Sequence, residues 1–171
     1  MNRSRSLGAV LATVALTAGA LVGSASTASA VYVEPQPSFH LKSAYGGKCV
    51  ALQGVQNGTN PFGWDCLDFA DQFWTLDDTN ALTPGVFQLK NVNSGKCLIV
   101  RGFENAKLPE QYECLNFADQ FWQKVSTENP DVFKLKNFNS GKCLAMQGFD
   151  VGRHPFQYDC EDYADQGWYI R

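Results

Sequence analysis

The sequence predicts an all-β fold with threefold internal symmetry, and three observations carry that prediction. One unit of 36 residues is written three times without insertion or deletion. Inside each unit, apolar and polar residues alternate with the period of a strand. Each unit also carries two cysteines 17 positions apart.

The copies open at Phe39, Phe87 and Phe133 and close at Trp74, Trp122 and Trp168. Between these ends stand Leu41, Leu89 and Leu135, each followed by a lysine. Gly-Lys-Cys recurs at 47–49, 95–97 and 141–143. Then come Gly54, Gly102 and Gly148, Pro61, Pro109 and Pro155, and an Ala-Asp-Gln at 70–72, 118–120 and 164–166. Units two and three are identical at 20 of 36 positions.

Taken in order, residues 39–42 alternate as Phe-His-Leu-Lys and read as a half-buried strand. Gly46-Gly47, or Asn-Ser-Gly in the later copies, makes a tight turn. A second strand covers 48–53 and is closed by Gly54; a third covers 61–66 and a fourth 72–76. Three units of four strands give twelve, with repeats at 39–84, 87–130 and 133–171. The linkers, 75–86 and 123–132, carry turn formers such as Pro84-Gly85 and Asn129-Pro130-Asp131. One unit is too small to bury its own apolar face, so the three must share a core in a closed, pseudo-threefold β structure.

Residues 1–30 read as a secretory signal peptide. Arg3 and Arg5 precede an apolar stretch from Leu7 to Val22, and Ala28-Ser29-Ala30 supplies a cleavage pattern. A membrane anchor fits less well, because the apolar core is short for a span. Residues 31–38 then form an N-terminal tail and 39–171 the folded domain. The mature chain carries 12 basic residues (14 less Arg3 and Arg5) against 17 acidic ones. An excess of five negative charges excludes a nucleic-acid footprint, and no polybasic patch points to a membrane.

All six cysteines lie in the mature part, as expected of disulfides in a secreted chain. Equivalent units make equivalent bonds, which predicts Cys49–Cys66, Cys97–Cys114 and Cys143–Cys160. No Cys-x-x-Cys is present and the two histidines do not repeat, so a zinc site is not expected.

The repeated Gln-x-Trp at 72–74, 120–122 and 166–168, preceded by Gly-Lys-Cys and an aromatic-x-Cys, closely resembles the ricin-B-type lectin repeat. The resemblance spans all three units. It implies a β-trefoil, a six-stranded barrel capped by three hairpins, with shallow sugar pockets, up to one per repeat. The tryptophans suit the shared core. The glutamines suit backbone groups where strands turn, and the resemblance also places Gln72, Gln120 and Gln166 at the sugar sites.

The resemblance further assigns sugar stacking to the aromatic two residues before the second cysteine, here Trp64, Tyr112 and Tyr158. Packing against neighbouring loops is the alternative for these rings. The place just before the motif glutamine, often Asn in the family, holds Asp71, Asp119 and Asp165. A carboxylate there accepts hydrogen bonds from sugar hydroxyls or closes a turn. The family's sugar-binding Asp, two residues after the first cysteine, is replaced by Ala51, Ile99 and Ala145. The polar residues two places on, Gln53, Arg101 and Gln147, share that side of the strand by alternation. Gln53 and Gln147 are the candidates to take over part of its role.

Acceptors three apart (65, 68, 71 and their equivalents) invite a calcium reading, but the spacing fits no known calcium loop and a solvated acidic loop is favoured. Catalysis needs one asymmetric constellation, and polar residues in threefold sets suit multiplied binding sites instead. The expectation is therefore a secreted, monomeric carbohydrate-binding protein that stands alone, without catalysis or cofactor, whose partner is an extracellular glycan or polysaccharide. The rival is a secreted β-trefoil that binds protein, as protease inhibitors do, with loops 57–60 and 150–155 as contact surfaces.

Overall fold

A computed structural model describes residues 37–78 and 83–171. Residues 1–30, read as a signal peptide, and residues 31–36 of the tail lie outside the described residues. The described chain forms twelve strands. Unit one contributes β1 (Phe39–Ser43), β2 (Cys49–Ala51), β3 (Phe62–Trp64) and β4 (Phe73–Asp77). Unit two contributes β5 (Val86–Asn91), β6 (Cys97–Ile99), β7 (Glu110–Tyr112) and β8 (Phe121–Ser126). Unit three contributes β9 (Phe133–Asn137), β10 (Cys143–Ala145), β11 (Phe156–Tyr158) and β12 (Trp168–Ile170).

Six of these strands close a ring. β1 pairs with β4, β4 with β5, β5 with β8, β8 with β9, β9 with β12, and β12 returns to β1, all antiparallel. Closure removes the unpaired edges that an open sheet would expose. The other six form hairpins β2–β3, β6–β7 and β10–β11, each hung from the barrel through the same register, Lys42 opposite Cys49, Lys90 opposite Cys97 and Lys136 opposite Cys143. Tight turns feed these hairpins through Gly47, Gly95 and Gly141, whose φ values of 67°, 68° and 70° suit glycine.

The core is filled in threes. Leu41, Leu89 and Leu135 point inward from β1, β5 and β9; Val50, Leu98 and Leu144 come from the hairpins; Trp74, Trp122 and Trp168 complete the layer. All three tryptophans are fully buried, and each indole N–H donates to a carbonyl of its own unit, Val50, Leu98 or Leu144, at 2.9 Å. A buried tryptophan thus supplies apolar area while its one donor stays satisfied. The predicted disulfides form inside each unit: Cys49–Cys66, Cys97–Cys114 and Cys143–Cys160. Three such bonds fit an oxidising compartment.

Four sequence expectations need correction. The second and third strands are shorter than 48–53 and 61–66, because the chain leaves the ladder at Ala51 and after Trp64. The fourth begins at Phe73, since Ala70–Gln72 winds into one 3-10 turn, as do Ala118–Gln120 and Ala164–Gln166. The linker 123–132 is strand as far as Ser126, because β8 continues along β9.

The units are also stapled head to tail. The loop after Gly54 lies on β7: Gly58 N–H donates to the Gln111 carbonyl and Gln111 N–H to the Thr59 carbonyl, both at 2.9 Å. The Gln111 amide donates to the carbonyls of Gly54 and Gln56. Gln157 does the same for unit two, reaching the carbonyls of Gly102 and Glu104. The third joint lacks an amide. Gly63 stands there, a Cβ at that position would meet Met146 Sδ at 2.9 Å, and the joint is made by Gly63 backbone bonds to Arg153 and Gly152.

Candidate functional site

Units two and three each present a groove between the 3-10 turn and the end of the hairpin. In unit two the groove, about 400 Å³, is lined by Ile99, Arg101, Tyr112, Leu115, Phe117, Asp119 and Gln120. In unit three a groove of about 390 Å³ is lined by Tyr45, Gln147, Gly148, Tyr163, Ala164 and Asp165. These are shallow, open clefts suited to a ligand that lies on a surface.

The Ala-Asp-Gln turn builds the back wall. Gln72, Gln120 and Gln166 are buried, and both ends of each amide are engaged. Gln72 Oε1 accepts from Leu67 N–H at 2.8 Å and its Nε2 donates to the Asp65 carbonyl at 2.9 Å. Gln120 and Gln166 repeat the clamp on residues 113–115 and 159–161. The sequence reading placed these glutamines at the sugar. They fold the loop that follows β3, β7 or β11 back onto the turn, satisfying backbone groups there as expected, and Gln120 also lines the groove of its unit.

That clamp leaves Asp119 and Asp165 facing their grooves. The turn is secured by aspartate main-chain carbonyls, which accept from Leu52, Val100 and Met146 N–H. The alternative in which the carboxylate closes the turn therefore has a backbone answer. Oδ1 of Asp119 and of Asp165 is buried without a hydrogen-bond partner. Burial raises the Asp119 carboxyl above its ordinary pKa, opposed by the charge of Arg101 and by its own backbone N–H.

The aromatics two residues before the second cysteine differ between units. Trp64 is 40% and Tyr158 38% exposed, whereas Tyr112 is half-buried. Trp64 meets Phe62 edge-on with ring centres 6.0 Å apart, and Tyr158 meets Phe156 likewise at 6.4 Å. In unit two the place of Phe62 and Phe156 is taken by Glu110. Its carboxylate holds Arg101 Nε at 3.0 Å, and the Arg101 guanidinium lies over the Tyr112 ring, 4.7 Å from its centre.

Ala51, Ile99 and Ala145 are buried in the hairpin strands, so these positions offer no polar group. Gln53, Arg101 and Gln147 are exposed just beyond those strands. Arg101 and Gln147 line the grooves beside Asp119 and Asp165.

Sequence reasoning missed an aromatic rim. Phe69, Phe117 and Tyr163 are all at least 60% exposed, and Phe117 and Tyr163 border their grooves. The signal was present, since an aromatic stands three residues before every motif glutamine. Tyr45 was missed because only unit one has a tyrosine there; it reaches the groove of unit three and packs on Phe149, ring centres 4.7 Å apart. In the acidic ladder, Asp65, Glu113 and Asp159 pair with Lys48, Lys96 and Lys142 of their own units.

The proposed protein-binding loops are partly committed to the fold. Asn60 Nδ2 donates to the Pro109 carbonyl, and His154 Nδ1 lies 2.8 Å from the Pro61 carbonyl.

Comparisons with known proteins agree with this architecture. Residues 70–150 match the family model described as Ricin-type beta-trefoil lectin domain-like. No curated protein matches the chain. Among solved structures, a designed threefold-symmetric protein, ThreeFoil, is similar at 24% identity and a TM-score of 0.73, over 78% of this chain and 96% of that one. An exo-beta-1,3-galactanase from Clostridium thermocellum matches at 21% identity and a TM-score of 0.74, over 81% of this chain and 31% of the enzyme. The hemolytic lectin CEL-III matches at 24% identity and a TM-score of 0.63, over 77% of this chain and 29% of that one. This chain therefore spans about a third of the latter two. The chain has the β-trefoil fold, and residues 70–150 of it are similar to the ricin-type lectin-like family.

Proposed function

We propose that this chain is a secreted carbohydrate-binding protein with shallow sugar sites on its repeats and no catalytic role. The observation that carries the reading is the pairing, in the groove of unit three, of the accessible rings of Tyr45 and Tyr163 with Asp165, whose Oδ1 is buried without a hydrogen-bond partner. Aromatic faces suit the C–H-bearing face of a sugar ring, and an unpaired buried acceptor suits its hydroxyls. The solved relatives that share the fold include a protein named as a lectin and an enzyme acting on a galactan. Weak sites repeated around one axis give avidity on a repetitive glycan. The six half-cystines and the N-terminal segment support export.

Trp64 provides the test. It is the accessible tryptophan beside three fully buried ones, so acrylamide quenching of tryptophan emission reports on it. A glycan found on an array protects Trp64 from quenching, and Trp64→Phe removes the protected component. A blank array, with a protein recovered by pull-down, would instead favour the protein-binding rival.

A further inference from the structure

The three joints between units are built on one backbone bond. Val92 N–H donates to the Phe73 carbonyl at 2.9 Å, Phe138 N–H to the Phe121 carbonyl at 2.8 Å, and Ala44 N–H to the Gly167 carbonyl at 2.8 Å. The side chains at these joints are not alike. Phe121 is fully buried, and Phe73 stacks on His40 with ring centres 4.2 Å apart. The third joint has no ring on either side of the bond, only Gly167 and Ala44. A Cβ at Gly167 would meet Val132 Cγ1 at 2.9 Å, so this joint is drawn in around the glycine. Beside it lies a cavity of about 360 Å³, lined by Ala44, Val132 and Gly167 together with Thr127, Glu128 and Asn129.

A second exchange gives that cavity a polar side. His40 Nε2 lies 3.1 Å from the Leu67 carbonyl, and Gln88 donates to the Leu115 carbonyl. Their counterpart Lys134 instead holds the Asp162 carboxylate at 2.6 Å, and both members of the pair line the cavity. The loop from Thr127 to Val132 is braced from within. Thr127 Oγ1 donates to the carbonyls of Asn129 and Val132, at 3.0 and 2.8 Å, and Val132 N–H donates to the Asn129 carbonyl at 3.0 Å. Small apolar groups thus stand beside carboxylates, an amide and an ammonium on a braced frame. That mixture suits a pyranose, which offers C–H faces and a hydroxyl edge.

The cavity is continuous with the groove of unit three, because Tyr163 and Ala164 line both. The exposed ring of Tyr163 stands between the two, with Asp165 and Tyr45 in one and Glu128 and the Lys134–Asp162 pair in the other. We propose that the two depressions are subsites of one site, and that unit three takes an extended oligosaccharide whose successive sugars occupy both across Tyr163. The inference rests on the carbohydrate-binding reading above and specifies its ligand as a length of chain and not a single sugar.

The test is calorimetry with di- and tetrasaccharides of the cello, xylo, chito and β-1,3-galacto series as probes. In a series that binds, the tetrasaccharide is expected to bind about tenfold more tightly than the disaccharide. Ala44→Phe places in the cavity the ring that Phe138 supplies at another joint. It brings the tetrasaccharide down to the affinity of the disaccharide and leaves the disaccharide unchanged. Glu128→Ala, at an exposed position, keeps the test open should the larger substitution disturb folding; it lowers tetrasaccharide affinity about threefold and spares the disaccharide. Asp165→Asn, in the other depression, weakens the tetrasaccharide as well, since one ligand spans both. Equal affinity for the two lengths overturns the proposal. So does a length advantage that survives both Ala44→Phe and Glu128→Ala, or tetrasaccharide binding untouched by Asp165→Asn. Each of these results leaves the sugar-binding reading standing, because a probe still binds; a blank with every probe overturns both.

Discussion

Tyr112 and Trp64 occupy the same place in units two and one, two residues before the second cysteine. Tyr112 lies under a guanidinium held by Glu110, and Trp64 stands open to solvent. A few ångströms inward the same two units are superimposable in their chemistry: a buried tryptophan, its N–H on a hairpin carbonyl at 2.9 Å, and a disulfide spanning 17 residues. The contrast shows where repetition is enforced. A residue that faces the shared axis must fit its two equivalents, so a change in one copy strains all three. A residue at the rim faces water and its own groove, and can diverge alone.

The largest effects should therefore be symmetric. Trp74→Ala, Trp122→Ala and Trp168→Ala should each cost about 3–5 kcal/mol in denaturant unfolding and agree among themselves within ~1 kcal/mol. A value for one unit far from the other two would break the picture of an equivalent core. Removing any one disulfide by paired Cys→Ala should cost about 3 kcal/mol, again alike in all units.

Rim substitutions should be asymmetric. Trp64→Ala should weaken glycan binding about tenfold, while Tyr112→Ala should leave it unchanged, because that ring already has an occupant. Both should leave the unfolding midpoint nearly in place. Equal losses from the two, measured by calorimetry, would show that Arg101 does not mask the Tyr112 ring.

The smallest effect is electrostatic. The Asp119 carboxyl titrates above its ordinary 3.8 because burial disfavours its charge. A carboxyl with a raised folded-state pKa favours folding below the unfolded-state value, and that contribution is lost as pH rises through the folded value. Asp119→Asn should accordingly gain a little stability at pH 7 and none below pH 3.8. Arg101→Gln should lose a little at pH 7, since the charge that offsets burial is gone. Thermal unfolding across pH 3 to pH 8 checks both signs.

What was legible in the sequence follows the same division. The barrel, the disulfides and the buried tryptophans could be read because each is stated three times, at fixed spacing. The 3-10 turn could not, because Ala-Asp-Gln has no periodicity of its own and its winding is set by the glutamine clamp on residues 65–67. The same clamp explains why the glutamines were assigned to the sugar: a motif tells that a residue is fixed, not which way its amide faces. Asp71, Asp119 and Asp165 and the aromatics before the second cysteine were found by position. Phe69, Phe117 and Tyr163 were overlooked although they repeat, because only the ring two residues before the second cysteine was singled out for binding. Tyr45 and the Arg101–Glu110 pair occur in one copy each, so a search for threefold agreement passes over them.

The central claim, that the Tyr112 ring is masked by its own cation while Trp64 and Tyr158 stay accessible, is tested most directly by counting ligands. Native mass spectrometry of the protein, saturated with a short oligosaccharide that scores on the array, should show two molecules bound per chain. The Arg101→Gln, Glu110→Phe variant should show three. Three equally filled sites in the unmodified protein, or no added site in the variant, would contradict the account.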